Sequence, residues 1–238
     1  MTEKYKDKII LYEMYWNKNM NQVDIANELG CNPGSVSYWM KKHNIDTRSG
    51  SEALACKEFS ITDKKHKILS GILMSDGNAN KGSTTSIEVS MANKKFIYWL
   101  HNELGDLSTG VKHRTFNDER SDHYRLRTRS LAKLDEYRQW YSTGKKVWPD
   151  DIVLYPETLK MLYVGDGTRA TFSSGSSFLK ICLKNEHKNK SKINSMFEEI
   201  GVTPRWHGYS IEFTKSESNY LWEYMGSPPP GFEYKWPK

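Results

Sequence analysis

The chain has 238 residues and 27.7 kDa, enough for one or two compact domains plus a small extra module. Lys and Arg total 35 against 29 Asp and Glu, a formal charge of +6 that suits a polyanionic partner. No apolar run approaches the roughly 18 residues of a membrane span, the first eight residues lead into no signal-like apolar segment, and three cysteines without a Cys-x-x-Cys pair argue against a disulfide framework or a zinc site. A soluble intracellular protein is expected, in a reducing cytoplasm, nucleoid or organelle matrix.

In chain order, Ile10, Leu11, Met14 and Tyr15 form one stripe, which predicts a helix over residues 7–17. A second is predicted over 22–29, stopped by Gly30, and a third over 33–43, with Pro33 favoured in a first turn. Ala26, Gly30 and Val36 supply what a tight bend between two helices needs: a small inner residue, a glycine free to take positive φ, and an aliphatic anchor.

The stretches 22–26 and 30–39 therefore resemble the helix-turn-helix family. The resemblance implies that the second helix of the pair enters the major groove. Val36, Trp39 and Met40 would then be core, while Ser35, Ser37, Tyr38, Lys41 and Lys42 face bases or phosphates. The alternative is a three-helix module that binds protein. Residues 1–50 net only +1, so the main electrostatic footprint lies downstream. The helical pattern breaks between Asp46 and Phe59, which sets a helix-turn-helix domain at 1–50 and a linker at 51–60.

The remainder contains a repeat. Ile68-Leu-Ser-Gly-Ile-Leu-Met-Ser-Asp76-Gly77 and Thr158-Leu-Lys-Met-Leu-Tyr-Val-Gly-Asp166-Gly167 are both apolar helices ending in a small residue, then Asp, then Gly, with 166 − 76 = 90 residues between the acids. Two helix C-caps would be the bland explanation. Duplication of a subdomain of this length accounts for both copies, one half at 61–150 and the other at 151–238. If the helices pack through Ser75 and Gly165, Asp76 and Asp166 converge near the symmetry axis. A carboxylate at the C-terminus of a helix opposes the macrodipole, so something positive is expected beside each acid. Two such oxygen donors suit a divalent cation, and Mg²⁺ fits a phosphodiester substrate.

Each half is read as helix, two strands, helix, two strands, helix. The first has strands at 84–91, 110–116 and 122–128 and helices at 94–104 and 131–141, with its first strand poorly marked. The second has strands near 170–174, 178–183, 203–206 and 209–214 and helices at 188–200 and 217–225. Period-two alternation puts Arg125, Arg127 and Arg129 on one face, opposite Tyr124, Leu126 and Thr128. Lys112 and Arg114 share a face on the neighbouring strand, and Lys180 and Lys184 flank Cys182. Rows of this kind read phosphates or guanines. The tryptophans 99, 140, 148, 206 and 222 are read as packing residues, and the histidines share no metal-ligand spacing.

Residues 69–77 resemble the LAGLIDADG motif of homing endonucleases, and residues 159–167 resemble its second copy. The supporting stretches 96–100, 124–130 and 144–149 resemble those of single-chain members, and the likeness runs from about Ile61 to Trp236. It implies an α+β fold, two pseudo-symmetric αββαββα halves forming a saddle over a long, asymmetric double-stranded DNA target, preceded by the small all-α module. It also implies a monomeric, Mg²⁺-dependent (or other divalent-cation-dependent) hydrolase of intron or intein mobility. Asp76 and Asp166 would bind the metal and cut one phosphodiester per strand with a stagger. Candidates for an active-site basic residue are Lys81, Arg169 and the Lys145-Lys146 pair. Met161, where the motif usually has a small residue, and Lys160 beside it predict an asymmetric helix interface. The same scaffold could serve a non-cutting transcription regulator, or an intron maturase with structured RNA as its partner.

Overall fold

The structure, a computed structural model, describes residues 3–48, 59, 61–82, 84–115, 122–141, 144–173 and 175–237. The chain divides into two compact units, Met1–Phe59 and Ser60–Lys238. Among the described residues no helix is long and apolar enough to cross a membrane.

In the first unit a 3-10 turn, Lys4–Lys6, precedes α1 (Lys8–Tyr12), α2 (Gln22–Leu29) and α3 (Pro33–Lys42). The helix expected over 7–17 is α-helical only to Tyr12 and continues as a π turn, Glu13–Asn17. Leu11, Met14, Tyr15, Ile25, Ala26, Val36, Met40 and Ile45 make the core, with Trp39 packed against it half-buried. Gly30 closes α2 with φ of +64°, and Asn32 then caps α3 by accepting from the Gly34 amide at 2.8 Å. Arg48 keeps the chain on this unit: its backbone N donates to Tyr15 Oη at 3.0 Å, and its guanidinium lies 4.0 Å from the centre of that ring. Residues 51–58 of the expected linker lie outside the described residues.

The second unit runs α4 (Asp63–Met74), β1 (Asn78–Lys81), β2 (Thr85–Met91), α5 (Lys94–Leu104), β3 (Ser108–Arg114) and β4 (His123–Thr128). It then repeats as α6 (Pro156–Asp166), β5 (Gly167–Thr171), β6 (Ser177–Cys182), α7 (Lys190–Glu198), β7 (Arg205–His207), β8 (Ser210–Glu212) and α8 (Lys215–Met225). Both sheets are antiparallel, with the same strand order, β1-β2-β4-β3 and β5-β6-β8-β7. Ala79, Ile87, Val89 and Leu126 in one sheet, and Leu179, Ile181 and Ile211 in the other, are buried. The intervening residues form the opposite face, polar at Glu88, Ser90, Arg125 and Arg127 in one sheet and at Thr168, Lys180 and Glu212 in the other, with Phe178 an apolar exception.

Three elements differ from the sequence expectation. The poorly marked first strand is β1, a polar Asn-Ala-Asn-Lys segment held by pairing to β2, with Ala79 buried. β5 begins at Gly167, directly after α6, rather than near 170. The helix expected over 131–141 is a 3-10 helix, Ala132–Tyr141, because its buried residues Leu134, Tyr137 and Trp140 recur every three positions, the 3-10 period.

The halves meet where α4 crosses α6. A Cβ at Gly71 would lie 2.3 Å from Thr158 O and 2.7 Å from Met161 Cβ, and one at Gly165 would lie 2.5 Å from Ser75 Cβ. The bulk of Met161 is thus accommodated by a glycine opposite, and the interface is asymmetric as its sequence implies. Polar bonds tie the helices: Ser75 Oγ donates to Met161 O at 3.3 Å, and Thr158 Oγ1 donates to Lys67 O at 3.1 Å.

Gly71→Ala should destabilise the protein by about 1–3 kcal/mol, because overpacking at the crossing outweighs the gain of roughly 1 kcal/mol in helix propensity. Denaturant unfolding checks this; an unchanged or higher midpoint would show that the helices are free to separate.

Candidate active site

Both acids stand where the motif helices end, for local reasons of space. A Cβ at Gly77 would lie 2.5 Å from Ile72 Cγ2, and one at Gly167 would lie 2.0 Å from Tyr163 Cδ2. Only glycine lets the chain fold back this closely on its own last turn. Neither glycine has positive φ; Gly167 sits at −92°. These Asp-Gly endings are therefore not left-handed helix caps. Their carbonyls are instead turned toward lysines.

Lys146 Nζ donates to Ser75 O and, at 3.0 Å, to Gly77 O. Lys235 Nζ donates to Tyr163 O, Val164 O and Gly167 O at 3.3, 2.7 and 2.6 Å. An ammonium group thus occupies the negative end of each motif helix, meeting the macrodipole argument with a side chain. Each lysine arrives on a strap containing a buried tryptophan. Trp148 Nε1 donates to Met74 O at 3.2 Å, and Trp236 packs edge-on to Tyr163 with ring centres 5.2 Å apart.

A loop of the opposite half holds each strap. Buried Glu186, after β6, accepts from the Trp148 amide at 3.2 Å through Oε1 and from Asn189 Nδ2 at 2.8 Å through Oε2. Asn93, after β2, donates through Nδ2 to Gly231 O at 2.7 Å.

Asp76 and Asp166 line one cleft of about 180 Å³ together with Lys146, Lys184, Cys182 and Glu186. Asp76 is exposed at its rim and Asp166 half-buried within it. Burial, then the charge of Asp76, pushes the Asp166 carboxyl up to about 6, against the opposing effect of Lys146 and Lys235. Burial likewise lowers the Lys146 ammonium, and lowers that of Lys235 to about 8. Among the described residues no group of three or more His, Cys, Asp and Glu could hold a metal. Two carboxylates are nonetheless a sufficient protein contribution for Mg²⁺, which keeps waters and takes further oxygens from a phosphate substrate. The donor set fits a hard divalent cation.

Several expected residues fall elsewhere. Arg169 pairs with Leu179, on the core side of β5, and its guanidinium donates to Trp236 O at 2.6 Å. It anchors the second strap instead of facing the cleft. Arg129 lies beyond the end of β4, where its Nε donates to Asp106 O at 2.7 Å, so the arginine row is Arg125 and Arg127 with Lys112. Arg114 pairs with His123 on the same face. The Lys81 side chain lies outside the described residues, and Lys145 is exposed beside Lys146. Lys180 is ion-paired with Glu212 at 2.8 Å, whereas Lys184 reaches the cleft. On α3, Ser37, Tyr38, Lys41 and Lys42 are exposed and Ser35 half-buried, and the Lys42 ammonium lies 4.3 Å from the centre of the Trp39 ring. Sequence reasoning missed Lys235. Its signal was a second Lys-Trp-Pro ending, 235–237, answering Lys146-Val-Trp-Pro149.

The family model for LAGLIDADG DNA endonucleases matches residues 66–221, more than half of the chain. The chain belongs to the LAGLIDADG DNA endonuclease family. An uncharacterized protein of Methanocaldococcus jannaschii is 23% identical over 177 residues, covering 69% of this chain and 67% of the relative. Among solved structures, I-DmoI in complex with DNA and manganese aligns with a TM-score of 0.45 at 14% identity, over 68% of this chain and 96% of that one. Full-length DUF199/WhiA from Thermotoga maritima aligns with 0.45 at 12% identity, over 71% of this chain and 58% of that one.

The Asp166 carboxyl should titrate near pH 6 in a side-chain carboxyl NMR titration, and Asp76→Asn should lower that midpoint by withdrawing a neighbouring negative charge. Burial keeps it above the ordinary value of about 4. The folded state holds this proton more tightly than the unfolded chain, so the contribution of Asp166 to stability falls as pH rises through about 4 to 6. A midpoint indifferent to Asp76→Asn would show that the two acids do not interact.

Proposed function

We propose that the protein is a site-specific double-strand DNA endonuclease, cutting one phosphodiester per strand to leave a staggered break. The observation that carries this reading is the convergence of Asp76 and Asp166 on one cleft at the helix crossing, with ammonium groups beside both. Asp76 and Asp166 would hold the divalent cation, Mg²⁺ in the cell, which when bound polarises the scissile phosphate and promotes attack by water.

The chain's own residues supply position and charge. Lys146 and Lys235 fix the helix ends that carry the acids and offset the charge of the carboxylate pair. Lys184, exposed at the cleft, attracts the incoming phosphate and can stabilise charge developing on it. Lys112, Arg114, Arg125 and Arg127 on one sheet, with Lys180 on the other, hold a duplex by its backbone and base edges. Lys145, exposed beside the first strap, adds to that field. Both motif copies are in one chain, so a monomer suffices and the two half-sites it reads need not match.

The first unit is proposed to be a helix-turn-helix module, with α3 in a major groove and Ser35, Ser37, Tyr38, Lys41 and Lys42 toward the DNA. The tight turn at Gly30 and the exposure of that helix face support this reading.

Asp76→Asn and Asp166→Asn should each abolish cleavage of the selected duplex in Mg²⁺ while leaving its binding in Ca²⁺ within a few-fold, because the lost groups are metal ligands. Undiminished cutting by either variant rejects the two-acid site, and selective binding without cutting by the unaltered protein would identify a regulator. Deleting residues 1–50 should weaken binding and shorten the footprint in a DNase protection assay; an unchanged footprint would make the first unit a protein-binding module.

A further inference from the structure

The strands of the two sheets hold one acidic residue each, Glu88 in β2 and Glu212 in β8. Both lie on the polar faces, among the cations proposed to meet DNA. Both are also ion-paired across strands: Glu88 Oε1 lies 3.6 Å from Arg125 Nη1, and Glu212 Oε1 lies 2.8 Å from Lys180 Nζ. His207 Nε2 approaches the second carboxylate at 3.7 Å. All of these groups are partly exposed.

Glu88 and Lys180 occupy equivalent places, and Arg127 is the counterpart of Glu212; Arg125, the ion-pair partner of Glu88, lies diagonally across, two residues further along β4. Asn78, two residues after Asp76, pairs with Glu88, which pairs with Arg127. Thr168, two residues after Asp166, pairs with Lys180, which pairs with Glu212. In the first half the acid is on the second strand and the base on the fourth; in the other half the order is reversed.

A carboxylate on a face that meets a polyanion is repelled by phosphate and is an acceptor only. The major groove offers it a matched donor, the 4-amino group of cytosine, while an adjacent Arg or Lys matches O6 and N7 of guanine. A single C·G pair presents both edges side by side, as each ion pair presents an acceptor and a donor.

We infer that Glu88 with Arg125 and Glu212 with Lys180 are specificity determinants, each reading one C·G pair in the major groove of its half-site. This rests on the DNA-binding part of the reading above. Because acid and base exchange strands between halves, a perfect palindrome satisfies one pair and misaligns the other, so the preferred target is asymmetric at these positions.

Binding-site selection from a randomised duplex library in Ca²⁺, with the full-length protein, tests this. The unaltered protein is expected to select one C·G position in each half-site. Glu88→Gln should move the preference at one of them from cytosine toward adenine, the base that an amide pairs with, by about tenfold, and leave the other positions alone. Glu212→Gln should do the same in the opposite half, and Glu88→Ala should lose the preference without gaining adenine. Variants that keep every base preference, or that alter affinity equally for all sequences, would overturn the inference and make the carboxylates mere organisers of their cations. Failure of the unaltered protein to select any duplex would instead remove the DNA-binding reading itself.

Discussion

Two helix backbones can approach closely only where neither carries a side chain in the way, and the crossing of α4 and α6 depends on that constraint. Gly71 gives way to Met161 and Thr158, and Gly165 gives way to Ser75. At this separation one helix's hydroxyls reach the other's carbonyls. The position of the acids follows, because Asp76 and Asp166 come just after the Ser75–Gly165 contact and have no room to diverge. Each sheet departs from its acid through a glycine that allows an immediate reversal, so the polar faces of the sheets are placed by the same crossing.

Closeness creates an electrostatic problem. Two carboxylates meet at the negative ends of two helices, and all four contributions have the same sign. The chain answers with Lys146 and Lys235, inserted from outside the motifs and anchored by tryptophans. Their ammonium groups take up the last carbonyls of the helices and lower the energy of the acid pair, but burial leaves Asp166 with an elevated affinity for its proton. The site is therefore poised to gain from a further cation.

Much of this was legible in the residues. The Asp-Gly endings, their 90-residue interval and the alternation in Tyr124-Arg-Leu-Arg-Thr-Arg129 sufficed for the duplicated α+β plan and for the convergence of Asp76 and Asp166 on one cleft. Contacts across the chain were not legible. Arg169 looked close to Asp166 by number, yet β5 starts at Gly167 and parity turns the arginine to the core side. Arg129 continued the alternation on paper, but the strand stops one residue earlier. Lys235 was overlooked because its strap is one residue shorter between lysine and tryptophan than the first. The 3-10 period of Leu134, Tyr137 and Trp140 passed for an α-helix because three and four are neighbouring spacings. Opposed charges at Glu88 and Glu212 acquire meaning only once the strand register is known.

The straps also bear on how such a chain could be rearranged. Lys146 belongs by sequence to the first half and is seated on the first motif helix, but Glu186 of the second half latches its strap; the strap of Lys235 is latched in turn by Asn93 of the first. The halves are interlocked in both directions, and neither half holds its own strap unaided. A recombinant that joins one half of this protein to half of another must therefore transplant a strap together with the foreign loop that grips it. The natural unit of exchange runs across the boundary between the repeats.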